Sequence, residues 1–178
     1  MAVRFGFEWG PPFTREGVVP MTPTLESRLR AVEDELAIRA LVARFSDCCN
    51  ERDFVGFAAL WAADGVWEIG HPLPARAEGV PSIVELLRRL LVPQIMFMQM
   101  THSGIVKLNG DTANARFVEH ERGRGQGQGK GNFYENLAVY DDELVRQADG
   151  QWRFARRSYR YRLLDDAPFG GQVFPVTG

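Results

Sequence analysis

Apolar residues at Ile38, Leu41, Val42, Phe45 and Cys49 recur at steps of three and four, the spacing that gathers side chains on one face of an α-helix. A polar break at Asn50-Glu51-Arg52-Asp53 follows, and Phe54, Phe57, Ala58, Leu60 and Trp61 repeat the pattern over two turns. The chain therefore predicts a long helix to about Asn50, a second short helix, a Gly65 turn and a first strand over Val66 to Ile69. Thr22-Pro23 reads as an N-cap followed by proline in the first helical position, with Glu26 in the first turns. Glu26, Arg30, Glu33, Asp34 and Arg39 mark a solvated, mixed-sign face. A loop at 70–74 and a third helix from Pro81 to Leu91, with Pro93 past its end, come next.

Beyond Pro93 the period changes from helical to two. Met96 to Leu108 alternates as strand and ends at an Asn109-Gly110-Asp111 turn. Thr112 to Glu121, Phe133 to Tyr140 and Trp152 to Arg162 are further strands, with Asp149-Gly150 turning the last hairpin. Helices first and long antiparallel strands afterwards make an α+β layout. The sheet has to curl around the long helix, and the gap between them becomes a pocket.

Composition narrows the class. The 178 residues suit one domain, with 45% hydrophobic residues and a net charge of −2, so no basic footprint for nucleic acid is present. No stretch reaches the ~20 apolar residues of a membrane span, and no signal architecture opens the chain, which reads as cytoplasmic. Cys48 and Cys49 are adjacent, poorly placed to bridge each other, and read as small core residues. Residues 1–21 are punctuated by Gly and Pro but carry Phe5, Phe7, Trp9 and Phe13, which are expected to pack on the domain or on a neighbouring subunit. The domain then spans 22–164, and 165–178 form a Pro/Gly-rich tail.

Arg122 to Gly131, RGRGQGQGKG, invites an RNA-binding or phosphate-loop reading. A phosphate loop needs Ser or Thr after Lys130, where this chain has Gly131, and an RNA segment would need stacking partners. The stretch reads as a hairpin loop near a site mouth. The three histidines are scattered without ligand spacing, so no metal is expected.

The element order, with DGVWEI after the second helix and DGQWRF in the last hairpin, resembles the nuclear transport factor 2-like superfamily over residues 24–164. Within it the chain is similar to the SnoaL-like lyases, the group of scytalone dehydratase, bile-acid dehydratase and hexachlorocyclohexane dehydrochlorinase. The resemblance implies a cone-shaped, curved antiparallel sheet wrapped around the long helix, an Asp–His dyad and a homotrimer. The stretch MTHSGIVKLNGDTANARF places the family histidine on His102, the expected proton-transfer base, and the family aspartate position falls on Asn50. A tyrosine found in some relatives falls on Phe45. Asp47, near Asn50 on the helix, and Glu119 or Glu121 are candidates for the missing carboxylate. Tyr134 and Asn136 match pocket-facing donors for a developing oxyanion. Met98, Met100, Trp67 and Phe117, with Phe45, would line an apolar pocket. His71 is expected at the rim, His120 is a minor candidate, and one of Arg156, Arg157, Arg160 and Arg162 could hold an anionic substrate.

The implied function is a cofactor-independent lyase, of dehydratase, elimination or deformylating C–C cleavage type, acting on a small hydroxylated aromatic or alicyclic compound. The same parts suit an enolising isomerase or a polyketide-type cyclase. A third reading is a non-catalytic ligand-binding protein or the small subunit of an aromatic-ring dioxygenase.

Overall fold

The long helix, α1 (Leu25–Glu51), starts where Thr24 Oγ1 accepts a hydrogen bond from the Ser27 amide at 3.1 Å. Thr24, not Thr22, is the cap; Thr22 lies outside the residues that the computed structural model describes, 23–126 and 132–174. The aromatic N-terminal segment and the end of the tail lie outside them too. One face of α1 buries Ile38, Val42, Phe45 and Cys49. Its opposite side exposes Leu25, Leu29, Val32 and Leu36. Asp34, expected in solvent, is buried because its carboxylate accepts from Trp152 Nε1 at 3.2 Å and from Arg146.

At its C-terminal end α1 stops on Arg52, whose backbone is left-handed with φ 58°. The Arg52 guanidinium donates to the carbonyls of Leu91 and Gln94, fixing the end of the helix against the approach to the sheet. Asp53 then caps α2 (Phe54–Ala58), accepting from the Gly56 amide at 2.8 Å. Trp61, expected in that helix, opens β1 (Trp61–Ile69) instead. A short strand not expected from the sequence, β2 (Ala75–Glu78), pairs back on β1. Next comes α3 (Val80–Leu91), with Pro81 in its first turn and Ile83, Leu86, Leu87 and Leu91 buried.

Four long strands complete the chain: β3 (Gln94–Asn109), β4 (Thr112–Gly125), β5 (Phe133–Arg146) and β6 (Trp152–Asp165). The strand order is β2-β1-β6-β5-β4-β3, an open, curved, six-stranded sheet. All pairs are antiparallel except β1 with β6, which is parallel. The part of RGRGQGQGKG up to Gly125 is therefore strand rather than loop, and 127–131 are not described. Phe45 is the centre of the core. Its ring meets Phe57, Trp67, Tyr140 and Phe154 at 5.0, 5.8, 5.5 and 5.9 Å between centroids, tilted and edge-to-face contacts that add to simple burial.

Candidate active site

Between α1, α3 and the concave side of the sheet lies a cavity of about 440 Å³, a size that suits a small organic molecule. Phe45, Trp67, Leu87, Leu91 and Phe97 give it apolar walls. The pleat of the sheet adds a polar strip. Because side chains alternate faces along a strand, Gln99, Glu121 and Asn136 stand side by side across β3, β4 and β5, all pointing inward. Tyr134, Tyr159 and Tyr161 complete the strip.

Glu121 is its most unusual member. The carboxylate is buried, accepts Tyr159 Oη–H at 2.9 Å and Gln99 Nε2–H at 3.1 Å, and has a further hydrogen bond from Asn136. Burial raises its pKa above the ordinary carboxylate value, against the pull of those donors. Burial also raises the phenols, Tyr161 to about 12 and Tyr134 and Tyr159 further, so all three stay neutral O–H groups. Tyr134 reaches the cavity because β4 has Gly123 opposite it: a Cβ there would come within 2.1 Å of the ring. The Arg–Gly alternation thus has a structural use, with Gly123 inward beneath Tyr134. The Asn136 Oδ1 and Gln94 Oε1 atoms are buried without a hydrogen-bond partner among the described residues, and both residues line the cavity.

A second polar cluster lies beyond the cavity wall. Thr101 Oγ1 contacts both oxygens of the fully buried Glu119 at 3.0 and 2.9 Å, and Ser46 Oγ at 2.8 Å. Arg157, also fully buried, stands 3.4 Å from Glu119 and 3.2 Å from Asp142. Its guanidinium carbon is 4.0, 3.8 and 4.6 Å from the ring centres of Phe45, Tyr140 and Phe154. Burial pushes Glu119 and Asp142 each up to about 7, with Arg157 opposing. Of the four arginines crowding the last strand, Arg157 alone belongs to this interior; Arg156 pairs with Glu68 and Arg160 with Asp141 on the outer side.

The dyad expected from the sequence does not assemble. His102 is exposed on the convex side of β3, its ring stacked 6.2 Å from that of His120, whose Nε2 meets Glu135 Oε1 at 2.7 Å. Parity explains this. Gln99 and Thr101 point inward, a bulge between Thr101 and Gly104 absorbs a residue, and His102 shares the outward side with Met98 and Met100. Those two methionines, expected in the pocket, are exposed as well. Asn50 does face β3, but its partner is Gln99: Nδ2 donates to the Gln99 carbonyl at 2.9 Å and Oδ1 accepts its amide at 2.7 Å. The amide satisfies the free polar groups of an edge strand rather than an imidazole. Asp47 is exposed and ion-paired with Arg44, away from the cavity. Phe117 and Glu119, expected at the pocket, are buried but pack outside the cavity wall, with the Phe117 ring covering Gly104. Phe45, Trp67, Tyr134 and Asn136 do line the cavity, and His71 lies exposed in its loop.

Gln99, Tyr159, Tyr161 and Ser46 were not singled out from the sequence. Gln99 lies between two exposed methionines in an apolar run, and Tyr159 and Tyr161 alternate with arginines, so parity was the signal available for each. Among the described residues no group of three or more His, Cys, Asp and Glu side chains could hold a metal ion. No helix among them is long and apolar enough to cross a membrane.

Comparison with known proteins agrees with this architecture. No curated protein sequence matches the chain. Among solved structures, hexachlorocyclohexane dehydrochlorinase LinA-type3 from Novosphingobium barchaimii LL02 superposes with a TM-score of 0.73 at 20% identity, covering 84% of this chain and 100% of that one. A scytalone dehydratase-like protein from Novosphingobium aromaticivorans gives 0.69 at 19% identity, over 80% and 93% of the two chains. ActVI-ORFA from Streptomyces coelicolor gives 0.60 at 18% identity, over 72% and 96%. At these identities the likeness establishes the fold. The SnoaL-like domain model matches residues 30–158, and the chain belongs to that family.

Proposed function

We propose that this protein is a cofactor-independent lyase of the dehydratase or elimination type, with Glu121 rather than a histidine as its proton-transferring group. The observation that carries the reading is the Glu121 carboxylate, buried in an otherwise largely apolar cavity and held by Tyr159 and Gln99. Desolvation raises a carboxyl pKa toward the range in which a base works near neutral pH. Glu121 takes a proton from the carbon next to an activating carbonyl or ring. The C–H electrons form the new double bond, and the neighbouring hydroxyl leaves as water with the proton that Glu121 returns. Tyr134 and Tyr161, kept neutral by burial, donate to the oxygen on which negative charge develops.

The substrate is a small hydroxylated aromatic or alicyclic compound. Aromatic and aliphatic walls accept its ring, and the unpartnered Asn136 and Gln94 carbonyls require donors that substrate hydroxyls supply. An enolising isomerase would use the same base and donors and return the proton to another carbon.

The test is Glu121→Gln, assayed on one- and two-ring β-hydroxy ketones by the absorbance of the enone formed. Loss of the base is expected to lower kcat by about 10²–10⁴-fold with little change in binding. Undiminished turnover would sink the role of Glu121. Solvent-deuterium exchange at the substrate carbon without loss of water would favour the isomerase. Binding without turnover or exchange in the wild-type protein would favour a non-catalytic carrier.

The working unit is proposed to be a homo-oligomer, a trimer by the family resemblance. The convex side of the sheet leaves Met98, Met100, Val118, Leu137 and Leu163 between 37% and 48% exposed, an apolar surface that a second copy would cover. Sedimentation equilibrium tests this, with Leu137→Lys expected to release monomers and a monomeric wild-type chain contradicting it.

A further inference from the structure

We infer that Glu119 carries a proton in the resting protein and, through a chain of three side chains, orients the Gln99 amide that holds Glu121 as the base. Glu119 is a positioning residue in this scheme, which rests on the reading of Glu121 given above.

Four contacts link the two carboxyl groups. Glu119 meets Thr101 Oγ1 at 2.9 Å, Thr101 Oγ1 meets Ser46 Oγ at 2.8 Å, Ser46 Oγ meets Gln99 Oε1 at 3.0 Å, and Gln99 Nε2 meets Glu121 Oε1 at 3.1 Å. Each contact needs one hydrogen. Thr101 and Ser46 supply one each, and the Gln99 amide has a donor on only one of its two ends. Three hydrogens therefore serve four contacts when both glutamates are ionised, and one contact must fail inside the protein, where an unmade hydrogen bond is costly. One added proton satisfies the whole path. Its position follows from the amide: with Oε1 toward Ser46 and Nε2 toward Glu121, the fourth hydrogen has to enter at Glu119. Glu119 then donates to Thr101, Thr101 to Ser46, Ser46 to the Gln99 carbonyl, and Gln99 to Glu121.

The surroundings agree. Glu119 and Asp142 share the single guanidinium of Arg157, and Glu121, Cys49, Tyr140 and, beside Asp142, Asp141 are other titratable groups around them. Two carboxylates against one guanidinium leave an excess negative charge that a single proton removes. Burial pushes Glu119 up to about 7, in the direction that the count requires. The site thus stores a proton at Glu119, and Glu121 remains the base. Moving that proton to Glu121 would require the Thr101 and Ser46 hydroxyls to turn and Gln99 to flip.

Infrared difference spectra at about pH 6, below the value of about 7 for Glu119, test the assignment without a substrate. Subtracting Glu119→Gln from the wild-type protein should reveal one protonated-carboxyl C=O band, and the same band should survive in Glu121→Gln. A difference containing only ionised-carboxylate bands would overturn the assignment, as would disappearance of the band in Glu121→Gln. Glutamine reproduces the donor toward Thr101 and the acceptor toward Arg157, so Glu119→Gln should fold and keep its turnover within about 3-fold, whereas Glu119→Ala should not be rescued. A Glu119→Gln chain that fails to fold also contradicts the proposal. An active Glu121→Gln would remove the catalytic reading and leave the infrared result standing, so the two failures are separable.

Discussion

The two sides of β3 and β4 are built from the same strands, with residues one position apart, yet they are chemically opposite. On the concave side Gln99, Thr101, Glu119 and Glu121 form a buried, fully engaged polar path toward an apolar cavity. On the convex side Met98, Met100, His102 and His120 meet solvent. Histidine is the residue most associated with proton transfer near neutral pH, but here the histidines are on the side without a cavity. The carboxylates, ordinarily too acidic, are on the side where burial alters them. Under the proposed function, environment set by strand parity selects the residue type that serves as the base.

Removing the cation from the inner side should have the largest effect on stability. Arg157→Ala strands the Glu119 and Asp142 carboxyls and deletes three ring contacts, so a loss of about 3–5 kcal/mol in chemical unfolding is expected. Protonation of those carboxyls sets a pH dependence of definite sign. Both hold protons more tightly when folded, near 7, than the ordinary values of 4.5 for Glu119 and 3.8 for Asp142. The stability they contribute is complete below those ordinary values and is lost as pH rises through about 7. Unfolding midpoints between pH 4 and 8 should show a steeper decline in the wild-type protein than in Glu119→Gln, which keeps only the Asp142 part. Asn50→Asp should cost about 1–3 kcal/mol, because a carboxylate oxygen would replace the amide donor facing the Gln99 carbonyl. Turnover should change less than stability in that variant. The smallest effect belongs to the outer side: His102→Ala should shift stability by no more than about 0.5 kcal/mol, the usual range for exposed positions.

The fold was legible because it rests on long periodic segments. Ile38, Val42, Phe45 and Cys49 marked the buried face of α1, and the change to period two after Pro93 marked the sheet. Trp61 and β2 were missed for local reasons: Trp61 continues a helical spacing but joins β1 beside β6, and β2 is only four residues of unremarkable composition. That Phe45, Trp67, Tyr134 and Asn136 face the cavity was also legible. His102 and Asn50 were not, because their alternation with neighbours gives parity without saying which side is concave. The methionines made the outer side of β3 look like the core, and the inner side is polar where a cavity, rather than packed side chains, lies against it. The bulge after Thr101 is a further shift that one sequence does not reveal.

The inside–outside contrast is tested most directly by measuring turnover of Glu121→Gln and His102→Ala side by side, on the same preparation and the same hydroxylated substrate. Glu121→Gln is expected to lose about 10²–10⁴-fold in kcat, while His102→Ala keeps the wild-type rate and pH profile. The reverse pattern, with an active Glu121→Gln and a silent His102→Ala, would contradict the assignment of the chemistry to the concave side of the sheet.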